Sequence, residues 1–219
     1  MNAHSVRSAK WFISLIVAFV GFNATTALAH PTSYKGGFSV MTWNQPFLND
    51  TILTYTFARN AAVAARHMRM EMPGGEMQVH MGQLNFLAKR WNEKAYQANI
   101  YLFGGIGAQR FEGNTGFATM PGIEADIEDR RFYLSGKFQA LLPKFGPNVY
   151  QSQFRAGVAA YPSEFEEIST WLIASVQYEP QLTRQVVVTP MARFFYKNVL
   201  WEVGSSIKGD WMLNFMFHF

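Results

Sequence analysis

Methionine is the residue whose type and spacing first suggest chemistry. Met68, Met70 and Met72 recur at every second position, and Met77 and Met81 follow beyond Pro73-Gly74-Gly75-Glu76. Thioethers are soft ligands that select Cu(I) and similar ions over hard cations. A row with period two lies on one face of a strand, so these five could form a wall for Cu(I) or Ag(I) as cargo, with no resident cofactor required. The same spacing suits methionine as an unbranched filler of irregular space, and both readings fit. Met120, Met191, Met212 and Met216 fall into the same face assignment. His30, as the first residue of a processed chain, would chelate Cu(II) through its amine and neutral ring nitrogen.

Charge provides the second constellation. Arg66, Glu124, Asp126, Glu128, Arg131, Lys137 and Arg155 fall on the faces opposite the apolar ones, and buried charges require partners. They read as a salt-bridge network inside a narrow structure. A carboxylate pair for acid–base work is the enzymatic alternative. No histidine can be set beside a serine on one face as nucleophilic catalysis needs, so the chain is read as a non-enzyme. The absence of cysteine removes thiolate metal sites, disulfides and cysteine nucleophiles together. There is no phosphate loop, dinucleotide fingerprint, zinc helix or basic-aromatic stripe, so nucleic acid is not an expected partner.

The elements that must position these residues follow from composition and period. The chain has 219 residues, 16% charged and 49% hydrophobic, against about 25% charged in ordinary soluble domains. Twenty Phe, nine Tyr and six Trp exclude disorder, and a mean hydropathy of −0.05 argues against a bundle of transmembrane helices. Residues 1–29 read as a cleaved secretory signal: basic Arg7 and Lys10, the uncharged run Trp11 to Phe22, then Ala27-Leu28-Ala29. That run is too short to span a bilayer as a helix, which needs about 20 residues. Without those two cations, 17 Lys+Arg face 15 Asp+Glu, and the net charge falls from +4 to +2. The processed chain, 30–219, is read as one domain.

That domain alternates almost without pause. At its end Trp211, Leu213, Phe215, Phe217 and Phe219 share one face, and Met212, Asn214, Met216 and His218 share the other. The stretches 96–103 and 131–140 alternate in the same way. Candidate strands are 35–45, 51–58, 61–72, 77–90, 95–106, 117–128, 131–141, 149–160, 168–178, 186–196, 199–206 and 211–219. Several exceed the usual five or six residues of sandwich strands. Together with the signal, the terminal stretch WMLNFMFHF resembles Gram-negative outer-membrane β-barrels, in which a C-terminal aromatic after alternating apolar residues is read by the insertion machinery. The resemblance implies an all-β, antiparallel, up-and-down transmembrane barrel in the outer membrane. Its partners would be outer-membrane lipid and the barrel-insertion machinery, the latter through the strand ending at Phe219. The barrels known for copper resistance are similar in outline, but usually carry His/Met-rich repeats that this chain lacks.

Parity favours twelve strands, with ten as the fallback, because bacterial single-chain barrels have even numbers; both termini are then periplasmic. Turns at Arg59-Asn60, Trp91 to Lys94, Asp129-Arg130 and Tyr196 to Asn198 are expected on the periplasmic side. Lipid exposure of Arg66 near the midplane would cost about 2–4 kcal/mol, so Arg66 should point inward, taking Met68, Met70 and Met72 with it. Gln83 and Asn85 do the same for Met77 and Met81, with Met72 expected opposite Met77 and Met68 opposite Met81. A bulge at Gly82 would reverse that phase. His67 and His80 should face outward, and His218 inward. The function these features imply is a narrow passage or binding protein for a small solute, with soft-metal handling as the specific version. The alternatives are a structural barrel with a filled lumen and a lumenal enzyme.

Overall fold

The computed structural model describes residues 34–164 and 166–219; the expected signal segment and His30 lie outside them. Twelve strands form in chain order: β1 Phe38–Gln45, β2 Leu48–Ala58, β3 Ala61–Met72, β4 Gly75–Asn92, β5 Gln97–Phe111, β6 Asn114–Glu128, β7 Phe132–Pro143, β8 Val149–Ala159, β9 Ser169–Tyr178, β10 Val186–Tyr196, β11 Val199–Ser205 and β12 Trp211–His218. Each pairs antiparallel with its sequence neighbours, and β1 pairs with β12, so the sheet is a closed barrel. Closure leaves no edge strand with unpaired backbone groups. At the seam the Phe38 N–H donates to the Phe219 carbonyl at 2.7 Å, and the Phe219 N–H donates back at 2.9 Å.

Alternation sorts the side chains onto two surfaces. Leu53, Tyr55, Phe57, Val63, Leu84, Phe86, Leu102, Ile106, Ile123, Leu134, Phe154, Leu172 and Leu213 stand exposed on the outer wall. Their strand neighbours point into the lumen, where methionines, glutamines and ion pairs are buried. The four turns expected on one side all lie at one end, the end that holds Phe38 and Phe219 (here the terminal end). The connections 46–47, 73–74, 112–113, 144–148, 179–185 and 206–210 lie at the opposite, hairpin end.

Several strands run further than the sequence pattern indicates, β4 to β6 above all. Near the hairpin end their outward residues are polar (Glu76, Gln78, Arg110, Thr115), so the hydrophobic alternation fades while the backbone ladder continues. Tight turns stop them. Pro73-Gly74 fits a type II turn, with Gly74 at φ 103°, and Glu112-Gly113 has φ 48° and 78°, as a primed hairpin turn requires. The two-residue turn at 73–74 corrects the expected β3–β4 register. Met70 faces Met77, Met68 faces Val79 and Met72 faces Gly75. The shift is by two residues, so every side chain keeps its expected face.

No register shift occurs at Gly82; the irregularity lies between Leu87 and Lys89, past Met77 and Met81. Arg131 is a second correction. It is exposed in the turn after β6 and takes no part in the lumen. The Asp129 carboxylate accepts the N–H groups of Arg131 and Phe132, both at 2.6 Å, and this cap draws Arg131 out of the strand.

Candidate functional site in the lumen

The hairpin-end half of the lumen is an apolar plug. Met68, Met70, Met72, Met77, Met81 and Met120 pack with Leu48, Val79, Phe103, Phe111, Leu141 and Val149, while Phe47 and Leu182 close over them. The five nominated methionines are 0–7% exposed. The structure therefore brings them together, but as the interior of a dense cluster. None of them lines any of the four cavities described below. Met191 and Met212 pack separately, with Ile173, and Met216 packs with Met41. His218 is buried, with Nε2 3.2 Å from Met216 Sδ.

Beside the plug the lumen is polar and ordered by two ion-pair groups. Arg66 grips Asp50 with two bonds, Nε to Oδ1 at 2.9 Å and Nη2 to Oδ2 at 2.5 Å, the bidentate geometry that fixes direction as well as charge. It also donates to Gln83 at 3.0 Å and, across the lumen, to Gln139 at 3.2 Å. Gln139 bonds Gln151, which donates to Glu179 at 3.0 Å.

Nearer the terminal end, Glu202 gathers Arg155 at 2.5 Å, Arg193 at 2.7 Å and the Asn214 amide at 2.7 Å. Arg193 also lies 4.4 Å from the Tyr133 ring centre. A third group joins Arg90, Asn99 and Asp126, with bonds of 2.6 and 2.7 Å. Glu128 is half-buried near the terminal mouth.

Lys137 stands apart from these groups. Its ammonium lies 5.1 Å from the Trp43 ring centre, 5.5 Å from that of Phe103 and 4.0 Å from the Glu124 carboxylate. Phe103 is held there because its ring covers Gly122 on β6. A Cβ at Gly122 would stand 2.2 Å from that ring.

The cavities run in sequence past these groups. At the terminal end a vestibule of about 400 Å3 is lined by Tyr96, Glu128, Trp171, Arg193, Phe195 and Leu200, among others. Arg193 and Leu200 also line the next cavity, of about 60 Å3, which reaches Trp43, Lys137 and Gln153. Those three line a further cavity of about 50 Å3 that extends to Gln45, Gln177 and Glu179 at the hairpin end. A side cavity of about 40 Å3 shares Trp43 and Lys137 as well. Neighbouring cavities thus share walls from the terminal mouth to Glu179, and Trp43 and Lys137 border three of them.

Glu179 lies immediately beyond the hairpin end of β9. Burial pushes its carboxyl up to about 7, against the Gln151 hydrogen bond, with Asp50 adding to the rise and Lys137 opposing it.

Of the residues expected in a lumenal charge network, Arg66, Glu124, Asp126, Glu128, Lys137 and Arg155 point inward and Arg131 does not. Within this set Lys137 and Glu124 pair at 4.0 Å, while Arg66 pairs with Asp50 and Arg155 with Glu202. Asp50, Glu202, Arg193 and Trp43, which organise the lumen, fall outside the network that the sequence pattern marks. Asp50 precedes the strand start drawn at 51. Glu202 sits opposite Arg193 across β10 and β11, a register that the tight turn at 197–198 sets.

Fold and lumen together define a closed twelve-stranded antiparallel barrel with a half-plugged interior. No known protein family and no curated protein matches the sequence. Among solved structures, a KdgM porin aligns with a TM-score of 0.49 and 8% identity, over 84% of this chain and 99% of that one. A KdgM porin in complex with disordered oligogalacturonate aligns with a TM-score of 0.50 at the same identity and coverage. The likeness is one of fold.

Proposed function

We propose that the chain is an outer-membrane barrel that passes water and very small solutes along the polar side of its lumen. The observation that carries this reading is the succession of shared walls: Arg193 and Leu200 between vestibule and lumen, then Trp43, Lys137 and Gln153 onward to Glu179. The outer wall supports the membrane placement. A surface of Leu, Ile, Val and Phe encircling a closed barrel is what hydrocarbon requires, since every strand hydrogen bond is satisfied within the ring. On β12 that wall is Trp211, Leu213, Phe215 and Phe217; in this reading it meets lipid and, during assembly, the insertion machinery.

The methionine row is assigned to filling. It narrows the lumen to one side, and a packed interior is what small barrels achieve with side chains. Copper or silver handling would require the sulfurs to face a space that an ion can enter, and the four cavities lie elsewhere. Lys137, which lines three of the four cavities, then sets the charge along this side.

Planar-bilayer recording of the refolded chain tests the proposal. Wild type should give small, steady conductance, and Lys137→Ala should raise it and shift selectivity toward cations. Absence of current in both proteins would overturn the passage reading in favour of a structural barrel.

A further inference from the structure

His67 and His80 have no part in the lumen. They face each other directly across β3 and β4 on the outer wall, and both are exposed. Their rings are stacked with centres 4.4 Å apart, and the two Nδ1 atoms are 3.1 Å apart. Zinc–imidazole bonds are about 2.0–2.1 Å. Two such nitrogens on one tetrahedral or square-planar ion therefore lie about 2.8–3.4 Å from each other. The observed separation lies between the square-planar and tetrahedral limits; without an ion it is a hydrogen bond from one ring to the other, whose proton a metal ion would displace.

The surroundings suit an ion approached from the hairpin side. The outward neighbours toward the terminal end are Ala65, Val63 and Leu84, whereas Arg69, Glu71, Glu76 and Gln78 lie toward the hairpin end, so the pair sits at the boundary between apolar and polar wall. The nearest cation on this face, Arg69, is engaged by the Glu76 carboxylate. Thr51 of β2 and Ala108 of β5 flank the pair and place no charge against it.

We propose that His67 and His80 form a two-ligand site for a divalent transition-metal ion of the copper or zinc class on the outer wall of the β3–β4 hairpin. Among the described residues no group of three or more such ligands exists, so water or an external donor completes the coordination. In the metal-bound form both Nδ1 atoms are unprotonated and both Nε2–H groups point outward. The rings are stacked, so their in-plane Nδ1 lone pairs meet on one ion only after the rings rotate out of the stack, which the broad χ2 wells permit. An ion held there cross-links two strands and gives the barrel an external metal contact separate from its lumen. The inference is therefore independent of whether the lumen conducts.

The test uses the refolded full chain titrated with Cu2+ and Zn2+ alone. Wild type should bind one Cu2+ whose electron paramagnetic resonance spectrum shows coupling to two nitrogens. Conservative removal of either ring, His67→Gln or His80→Gln, should weaken binding by at least the 10–100-fold seen when even a supporting partner of a metal site is lost, about that order. Equal affinity in wild type and the doubly substituted protein overturns the proposal. So does a single-nitrogen spectrum, or binding that survives both substitutions and disappears with His30→Gln. If the substituted chains fail to refold, the spectrum of His30→Gln decides: a persisting two-nitrogen signal supports the pair, and its loss overturns the proposal.

Discussion

The Glu202 cluster offers a direct measurement of how dry this lumen is. Glu202 is 1% exposed, and its two carboxylate oxygens hold Arg155, Arg193 and Asn214 at 2.5–2.7 Å. Glu202→Gln keeps the shape but removes a charge that compensates two guanidinium groups within bonding distance. Breaking a buried pair by deleting one partner costs about 3–5 kcal/mol, because the remaining charge is left in a poor solvent. A cavity of about 60 Å3 borders all three residues, enough to admit water, which needs about 10–15 Å3. The expected loss is therefore at the lower end, about 3 kcal/mol. Urea unfolding of the barrel in detergent or lipid vesicles measures it. A loss below about 0.5 kcal/mol, the range of ordinary surface changes, would show that water already solvates these arginines and would refute the desolvation argument. The combined change Arg155→Met, Arg193→Met and Glu202→Leu should lie nearer to wild type than Glu202→Gln alone, since an apolar set replaces the whole group.

Glu179 sets a pH dependence. Its folded carboxyl, at about 7, lies above the unfolded value of about 4.3, so its contribution is fully present below that unfolded value and is lost as pH rises through 7; Glu179→Gln should flatten the stability difference between pH 4.5 and 8. Replacing Met68, Met70, Met72, Met77 and Met81 by Leu should leave a folded barrel with each swap costing less than about 1.5 kcal/mol, and should leave Ag(I) titration unchanged. A clear loss of Ag(I) affinity would instead assign those sulfurs to a metal. Gly107→Ala would set a Cβ 2.0 Å from the His80 carbonyl oxygen and 2.5 Å from Met81 Cα. Backbone cannot yield there without opening the β4–β5 ladder, so about 1–3 kcal/mol should be lost in the same unfolding assay, whereas Gly136→Ala meets nothing within 4 Å and should be tolerated.

The barrel was legible because its period survives local error. A strand has only two faces, so a single strong constraint decides the direction of all its residues. On β3, the cost of placing Arg66 against hydrocarbon determined where five other side chains would point. The mistaken register at Pro73-Gly74 did no harm, because a two-residue shift preserves the faces. Strand ends were less legible. The outward residues of β4 to β6 turn polar toward the hairpin end, and a pattern based on hydrophobic contrast has no signal there even though the ladder continues.

Partners across the lumen were the least legible, for a geometric reason. Alternation says that a residue points inward, but which inward residue it meets depends on strand tilt and barrel width, and neither appears in a local pattern. Arg66 reaches Gln139, 73 positions away, and Arg155 reaches Glu202, 47 away. Asp126 accepts from Asn99 on the adjacent strand, which in turn takes a bond from Arg90. Arg90 faces inward only because the irregularity at Leu87/Lys89 changes the phase of β4. The charge census was therefore readable while its wiring was not. The wiring is what separates the two roles of the lumen: the methionines, with nothing to bond, collapse into a plug, and the ion pairs, which hold each other at fixed distances, keep the opposite side from closing.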